Sequence, residues 1–106
     1  MKVKDLAEQF KVINMADAER DITDVFCCDL LSIAMGKAPA GSAWVTVMAN
    51  VNTLAVASLT DVACVVLAEN ARLDDMTAAK AKEQEITVFA AEEPIFKTAL
   101  KIYGNV

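Results

Sequence analysis

Three short polar loops hold the residues of this sequence that could bind a ligand. Each loop follows a run typical of a strand and leads into a helical pattern; the loops are Cys28-Asp29-Leu30-Leu31-Ser32, Ala49-Asn50-Val51-Asn52-Thr53 and Ala68-Glu69-Asn70-Ala71. In an open parallel sheet, ligands bind beyond the carboxyl ends of the strands, where helix N-termini point. If the three strands are neighbours, one crevice for a small molecule or an anion is expected, lined by Asp29, Ser32, Asn50, Asn52 and Asn70.

Trp44 and Thr46 are two further candidates, since they alternate on one face of a predicted strand that leads to the second loop. The indole of Trp44 could stack on a ring-shaped ligand, but a tryptophan of this kind also serves in a core or at a subunit interface. The loops have a simpler interpretation as well, because Asp29 and Asn50 stand where they could cap helices and do nothing more. The residues leave both interpretations open.

The sequence contains no set of residues suited to catalysis or metal binding. It has no histidine, which is the commonest general base and metal ligand. Cys27 and Cys28 are adjacent and lack C-x-x-C spacing, so we interpret them as buried thiols that act as small hydrophobes. Neither a G-x-G-x-x-G motif nor a P-loop is present. We therefore expect no catalytic residue, no metal and no cofactor.

The elements that must position these residues form an alternating strand and helix pattern. Residues 62–68 are apolar at every position, which predicts a strand inside a parallel sheet that helices cover on both faces. A helix that begins at Asp74-Asp75, a strand at Ile86 to Ala90 and a helix that begins at Pro94 follow. The expected buried stripe of the last helix is Ile95, Phe96, Ala99, Leu100 and Tyr103.

The first half of the chain shows the same alternation. Residues 3–10 have helical spacing, and strands are predicted at residues 11–14, 22–28 and 42–48. The helix from Val51 to Leu59 is apolar on much of its surface, which favours burial between the sheet and a partner chain, so a homodimer is expected. The prediction is a single α/β domain over residues 1–106, with a mostly parallel sheet and helices on both faces.

Composition narrows the class of partner. The net charge is −5 and the lysines form no stripe, which disfavours nucleic acid and anionic membrane surfaces. No apolar run is long enough to span a bilayer, and the charged start Met1-Lys2-Val3-Lys4-Asp5 is not a secretory signal. Three cysteines, an odd number, fit free thiols in a reducing compartment. We therefore expect a cytoplasmic protein.

The chain resembles the DRTGG domain family. The residues that carry the resemblance are the run Val62 to Ala68, the helix Ala79-Lys80-Ala81-Lys82-Glu83-Gln84-Glu85, the strand Ile86 to Phe89 and the helix Pro94 to Ala99. That family is similar to the N-terminal domain of HPr kinase/phosphorylase and also occurs as a regulatory segment in phosphotransacetylase-like proteins. Cys28 to Ser32 and Trp44 to Ala57 are similar to a stand-alone bacterial subgroup encoded near iron-only hydrogenase genes, which implies a link to hydrogenase metabolism.

The sequence departs from the family pattern at two places. The threonine-glycine-glycine part of the signature falls at Ala68-Glu69-Asn70, and Asn50 stands where the subgroup has a histidine two residues before Asn52. The kinase activity of HPr kinase belongs to a separate P-loop domain, so the resemblance implies no kinase here. We expect a non-catalytic regulatory or small-ligand-sensing module. The alternative is a structural module that forms homo-oligomers or binds a partner protein.

Overall fold

The computed structural model describes residues 1–106 and contains a five-stranded sheet with helices on both faces. The strands are β1 (Lys11–Asn14), β2 (Asp24–Cys27), β3 (Ser42–Thr46), β4 (Cys64–Leu67) and β5 (Val88–Ala90). The helices are a 3-10 helix (Val3–Glu8), α1 (Leu31–Lys37), α2 (Val51–Thr60), α3 (Asp75–Glu83) and α4 (Ile95–Tyr103). The strand order is β1-β5-β4-β3-β2, and only β1 runs antiparallel to its neighbour. The predicted α/β class with a mostly parallel sheet is confirmed.

β4 is the central strand, and all four of its residues are buried. Its side chains alternate between two core clusters, with Val66 in one and Val65 in the other. Both faces of the strand must therefore be apolar, which is why the sequence shows an unbroken apolar run there and no polar alternation. The prediction of a doubly covered strand is confirmed, and β4 holds the two layers of helices apart.

Different helices cover the two faces of the sheet. The 3-10 helix and α4 contribute Leu6 and Ile102 to the cluster on one face. α1, α2 and α3 contribute Ala34, Leu54 and Ala81 to the cluster on the other face. The small side chains of Ala34 and Ala81 allow their helices to approach the strands closely. The loops that enter α1, α2, α3 and α4 all leave the carboxyl ends of parallel strands, so they lie along one edge of the sheet.

The N-terminal helix is shorter and tighter than the spacing of residues 3–10 predicts. It is a 3-10 helix of six residues, and the Asp5 carboxylate accepts a hydrogen bond from the Lys2 backbone N–H at 2.8 Å. The chain is held on both sides, by a bridge between Lys2 and Asp21 and by the start of β1 at Lys11. Few residues remain between these two points, which favours the short 3-10 form over a longer α-helix.

The predicted buried stripe of α4 is wrong for its three largest members. Phe96, Leu100 and Tyr103 are 73%, 56% and 66% exposed, whereas Thr98 and Ile102 are fully buried. The apolar residues of this helix cover a wider arc than one packing face needs, and sequence spacing alone did not show which part of the arc meets the sheet. α4 therefore presents a second apolar surface to solvent.

Packing within the chain buries only part of α2. Leu54, Val56 and Ala57 are buried against the sheet, whereas Leu59 is 72% exposed. Packing inside the chain therefore accounts for three of the six apolar residues of this helix, since Val51 and Ala55 are exposed as well. None of the helices has the length and apolar character required to cross a bilayer.

Candidate functional site

The carboxyl edge of the sheet is where sequence reasoning places a ligand. β2, β3, β4 and β5 are parallel neighbours, so the loops that follow them lie side by side. All the predicted ligand-binding residues except Trp44 and Thr46 lie in these loops or in the first turns of α1 and α2. The assumption that the three strands are neighbours was therefore correct.

Asp29 does not cap a helix, which corrects one of the two interpretations of this residue. The N-cap position of α1 is Leu30, and no side chain caps that helix. The Asp29 carboxylate instead accepts hydrogen bonds from the Thr46 hydroxyl at 2.8 Å and from the Val47 backbone N–H at 2.9 Å. It therefore ties the loop after β2 to the end of β3.

Thr46 continues this hydrogen-bond network into the next loop. Its side chain is fully buried, donates to Asp29 and accepts from the Met48 backbone N–H at 3.2 Å. The Met48 carbonyl in turn accepts from the Thr53 hydroxyl at 2.5 Å. Asn50 caps α2 by accepting from the Thr53 backbone N–H at 3.1 Å, as the cap interpretation predicts. The loop between β3 and α2 is therefore fixed by side chains at both ends.

Trp44 lies entirely inside the core. Its ring has no exposed surface, and its Nε1–H donates to the Cys28 carbonyl at 2.9 Å. This arrangement agrees with the core interpretation, because a ligand could not stack on the ring without opening the structure. The polar N–H of a buried indole needs a partner, and the Cys28 carbonyl satisfies it. Trp44 thus supports the loop after β2 from beneath.

Ser32, Asn52 and Asn70 are the predicted residues whose side chains stay available. All three are exposed, and their side chains form no hydrogen bond within the chain. Asn70 lies in the tight turn after β4, where both Glu69 and Asn70 have φ near 58°. The Ala71 N–H closes that turn on the Ala68 carbonyl at 3.1 Å, the pattern of a type I′ turn.

The turn after β4 contains the two positions at which the family signature has glycine. Left-handed backbone is free of strain for glycine but costs energy in a residue with a side chain, and asparagine tolerates it better than glutamate. Here Glu69 and Asn70 occupy the two left-handed positions. Their N–H groups donate to the carbonyls of Glu93 and Ala91 at 2.9 and 2.8 Å, which holds the strained turn against the loop after β5.

A small cavity opens beside this turn. Its volume is about 160 Å³, and the residues around it are Lys11, Ile13, Asn70, Arg72, Leu73 and Ala90. Lys11 pairs with Ala90 in the sheet, so the start of β1 lies at the carboxyl end of β5. Asn70 is the one predicted ligand-binding residue that lines a cavity. Two larger cavities are lined entirely by other residues. Sequence reasoning missed Lys11 and Arg72 as residues of this cavity. Lys11 reaches the cavity only because β1 pairs antiparallel with β5.

The expectation that the adjacent thiols of Cys27 and Cys28 are buried is wrong for Cys27. Cys64 is buried, and burial raises the pKa of its thiol to about 12. Cys27 is exposed, and partial desolvation followed by the charge of Asp29 raises the pKa of its thiol. Both groups are therefore protonated near neutral pH, which makes them poor nucleophiles. No three or more cysteine, aspartate and glutamate side chains come together as a metal site.

Comparison with solved structures finds proteins of similar fold. No protein-family model and no curated protein matches the sequence. The fold is similar to that of the CBS and DRTGG domains of the regulatory region of a Clostridium perfringens pyrophosphatase, complexed with its activator, diadenosine tetraphosphate. The TM-score is 0.67 at 13% identity, over 92% of this chain and 43% of that chain. The likeness supports a DRTGG-like fold, and this chain spans less than half the length of the structure it matches.

Proposed function

We propose that this protein is a non-catalytic regulatory module that senses a small anionic ligand at the carboxyl edge of its sheet. The observation that carries the proposal is the pair of positive charges beside the 160 Å³ cavity, from Lys11 and Arg72. The chain has a net charge of −5, yet neither of these side chains belongs to an ion pair. Two unpaired cations at one cavity attract an anion.

The size of the cavity supports a small anionic group as the bound part of the ligand. Pockets that enclose a whole drug-sized molecule measure roughly 300–1,000 Å³, so 160 Å³ suits a phosphate-sized group. The activator of the similar pyrophosphatase regulatory region is a polyphosphate nucleotide, which makes phosphate compounds the first probes to use. Asn70 and the exposed Asn52 offer neutral hydrogen-bond donors along the same edge.

The absence of catalytic machinery in the sequence supports the non-catalytic part of the proposal. There is no histidine, P-loop or glycine-rich nucleotide motif. The most reactive candidates, the thiols of Cys27 and Cys64, have raised pKa values. A cytoplasmic setting belongs to this proposal too and is supported by the three free cysteines. A bacterial setting and a link to hydrogenase metabolism also belong to it, and the family resemblance is their sole support.

Thermal unfolding with added ligand tests the proposal. The probes are inorganic phosphate, ATP and diadenosine tetraphosphate, each compared with sodium chloride of equal ionic strength. A ligand at a hundred times its Kd stabilises a protein by about 2.7 kcal/mol, which corresponds to several degrees in the Tm of a domain of this size. At least one phosphate compound is expected to raise Tm in this way.

Variants assign the binding to the cavity. Arg72→Ala and Lys11→Ala are expected to abolish the rise in Tm, whereas Lys82→Ala, which removes an exposed and unpaired lysine of α3, leaves it intact. A rise in Tm that is lost only in Asn52→Ala would move the site to the loop between β3 and α2. No stabilisation by any of the three compounds would contradict the proposal.

A second candidate function is a module for protein interaction. The observation that favours it is the exposed apolar half of α4, at Phe96, Leu100 and Tyr103. Exposed apolar surface of this kind marks interaction sites in small proteins. Retention of a specific protein on the immobilised chain, lost in Phe96→Glu, tests this function, and capture of nothing beyond the chain itself contradicts binding of a different partner.

A further inference from the structure

The free edge of β2 and the outer half of α4 form one apolar surface, which we call the β2/α4 patch. Its residues surround a cavity of about 270 Å³ and are Val25, Cys27, Phe96, Ala99, Leu100 and Tyr103. Phe96 and Tyr103 are 73% and 66% exposed, among the most exposed large apolar side chains of the molecule. None of the six carries a charge at neutral pH. The patch is therefore a continuous apolar surface and not a scatter of single residues.

The geometry of α4 explains why half of its apolar surface remains outside. At 3.6 residues per turn, the apolar positions of this helix together with Thr98 span an arc of about 200°. Thr98 and Ile102 mark the half that packs on the sheet, and both are fully buried. One packing face needs an arc of roughly 100°. α4 lies over β2, the edge strand. The remaining half of the apolar arc therefore points past the edge of the sheet.

β2 adds unpaired backbone groups to the patch. It is the last strand of the sheet, so only β3 pairs with it. The Val25 N–H donates to the Asp24 carboxylate at 2.8 Å and not to a neighbouring strand. A local bond of this kind can be exchanged for a strand pairing. An exposed edge strand is a template for another strand, and natural proteins generally cover or charge such edges.

We infer that the β2/α4 patch binds a second copy of this chain, with β2 antiparallel to β2 of the second copy about a two-fold axis. The inference deepens the second candidate function by naming the partner, and it rests on that function and not on ligand sensing. A two-fold contact places the same surface on both sides, so each copy covers the apolar side chains and the open strand edge of the other. A different arrangement would leave one of the two strand edges open.

Charge makes this patch a more favourable place for a second copy to bind than the other surfaces of the molecule. Copies of a chain with a net charge of −5 repel one another, and the repulsion is weakest where the contact surface is uncharged. α4 begins at the carboxyl edge and runs back along β2, so Lys97 and Asp24 lie at opposite ends of the patch. Antiparallel pairing brings Asp24 of one copy toward Lys97 of the other. Neither residue has an ion-pair partner within the chain.

The exposed area is also sufficient for a dimer. Aromatic side chains bury about 150–250 Å² each, so Phe96 and Tyr103 each leave about 100–180 Å² exposed at the fractions observed. With Leu100, Val25, Cys27 and the strand edge, each copy offers on the order of 500 Å². Two copies then bury about 1,000 Å², which is the lower limit for a specific interface. We therefore expect a specific dimer of moderate affinity.

Light scattering after gel filtration, at protein concentrations up to about 100 µM, tests the inference. The wild type is expected to show twice the 11.4 kDa mass of the chain. Phe96→Glu and Tyr103→Glu are expected to weaken self-association at least tenfold, and both side chains are exposed enough for the fold to persist, which circular dichroism checks. Leu59→Glu and Met76→Glu replace side chains that are 72% and 78% exposed on α2 and α3, and they are expected to have no effect.

A second measurement needs no variant. Amide hydrogen exchange in β2 of the wild type is expected to slow as the protein concentration rises, while exchange in α3 does not change. A monomeric mass at the highest concentration overturns the inference. So does a dimer that Leu59→Glu dissociates and Phe96→Glu does not, because the interface is then on α2. Both outcomes leave the phosphate-binding proposal untouched, since none of the patch residues lines the 160 Å³ cavity.

Discussion

The carboxylate of Asp29 accepts a hydrogen bond from the hydroxyl of Thr46 at 2.8 Å, across the gap between the loop after β2 and the end of β3. Thr46 is fully buried, whereas Asp29 is exposed. The pair therefore joins the interior of the sheet to its surface at the edge where the ligand-binding loops lie. The same carboxylate also accepts from the Val47 backbone N–H, so one side chain organises two loops.

Breaking this pair is expected to destabilise the fold. Asp29→Ala removes the acceptor of a buried hydroxyl, which costs about 1–3 kcal/mol in the free energy of unfolding. A double-mutant cycle with Thr46→Val is expected to show a coupling of about 1 kcal/mol, measured by urea unfolding. Asp24→Ala is the matched control, since the Asp24 carboxylate accepts a hydrogen bond only from the Val25 backbone N–H. Fully additive losses from the two single variants would show that the contact does not stabilise the chain.

The left-handed turn after β4 is expected to be a source of strain. Glu69→Gly should raise the free energy of unfolding by about 0.5–1 kcal/mol, because relief of strain at φ 58° exceeds the added freedom of glycine in the unfolded chain. Ala79→Gly, at an exposed position in the middle of α3, should instead lower it by about 1 kcal/mol. Chemical unfolding curves of the two variants give both values. Equal losses in the two variants would mean that the turn is not strained.

The ion pair between Arg20 and Asp61 is expected to make stability depend on pH in acid. The guanidinium donates to the Asp61 carboxylate at 2.8 Å and to its backbone carbonyl at 2.7 Å. The hydrogen bond from Arg20 lowers the pKa of Asp61 below its ordinary value of 3.8. A group with a lowered folded pKa stabilises the protein above the unfolded pKa, and this contribution is lost as the pH falls through the folded value.

Arg20→Met should therefore lower Tm at pH 7, and the difference from wild type should narrow as the pH falls below 3.8. Any difference that persists in acid belongs to the bond with the Asp61 carbonyl, which does not titrate. The control is Lys4→Met, which removes the exposed pair with Glu19 and should change Tm little at any pH. Thermal scans between pH 2 and pH 7 at constant salt give the comparison. A constant difference across that range would contradict the role of the carboxylate.

Some features of this protein follow from local sequence. The apolar run at residues 62–68 predicts the doubly covered strand β4, because a strand with helices on both faces has no polar side. Asn50 and Asp74 stand at helix starts and cap them, since capping depends only on the side chain and the next three residues. The α/β class and the edge of the sheet that carries the polar loops follow from the alternation of such elements.

Other features were decided by tertiary structure alone. Asp29 stands where a cap is expected, yet its carboxylate reaches β3, because the neighbouring strand offers a buried hydroxyl and a free N–H. The side of α4 that meets the sheet depends on the angle at which the helix docks, so Phe96 and Tyr103 are exposed despite an apolar pattern. Lys11 reaches the cavity of Asn70 only because β1 pairs with β5, which is distant in the chain. Sequence spacing fixes which residues share an element, whereas contacts between distant elements determine which of them form a site.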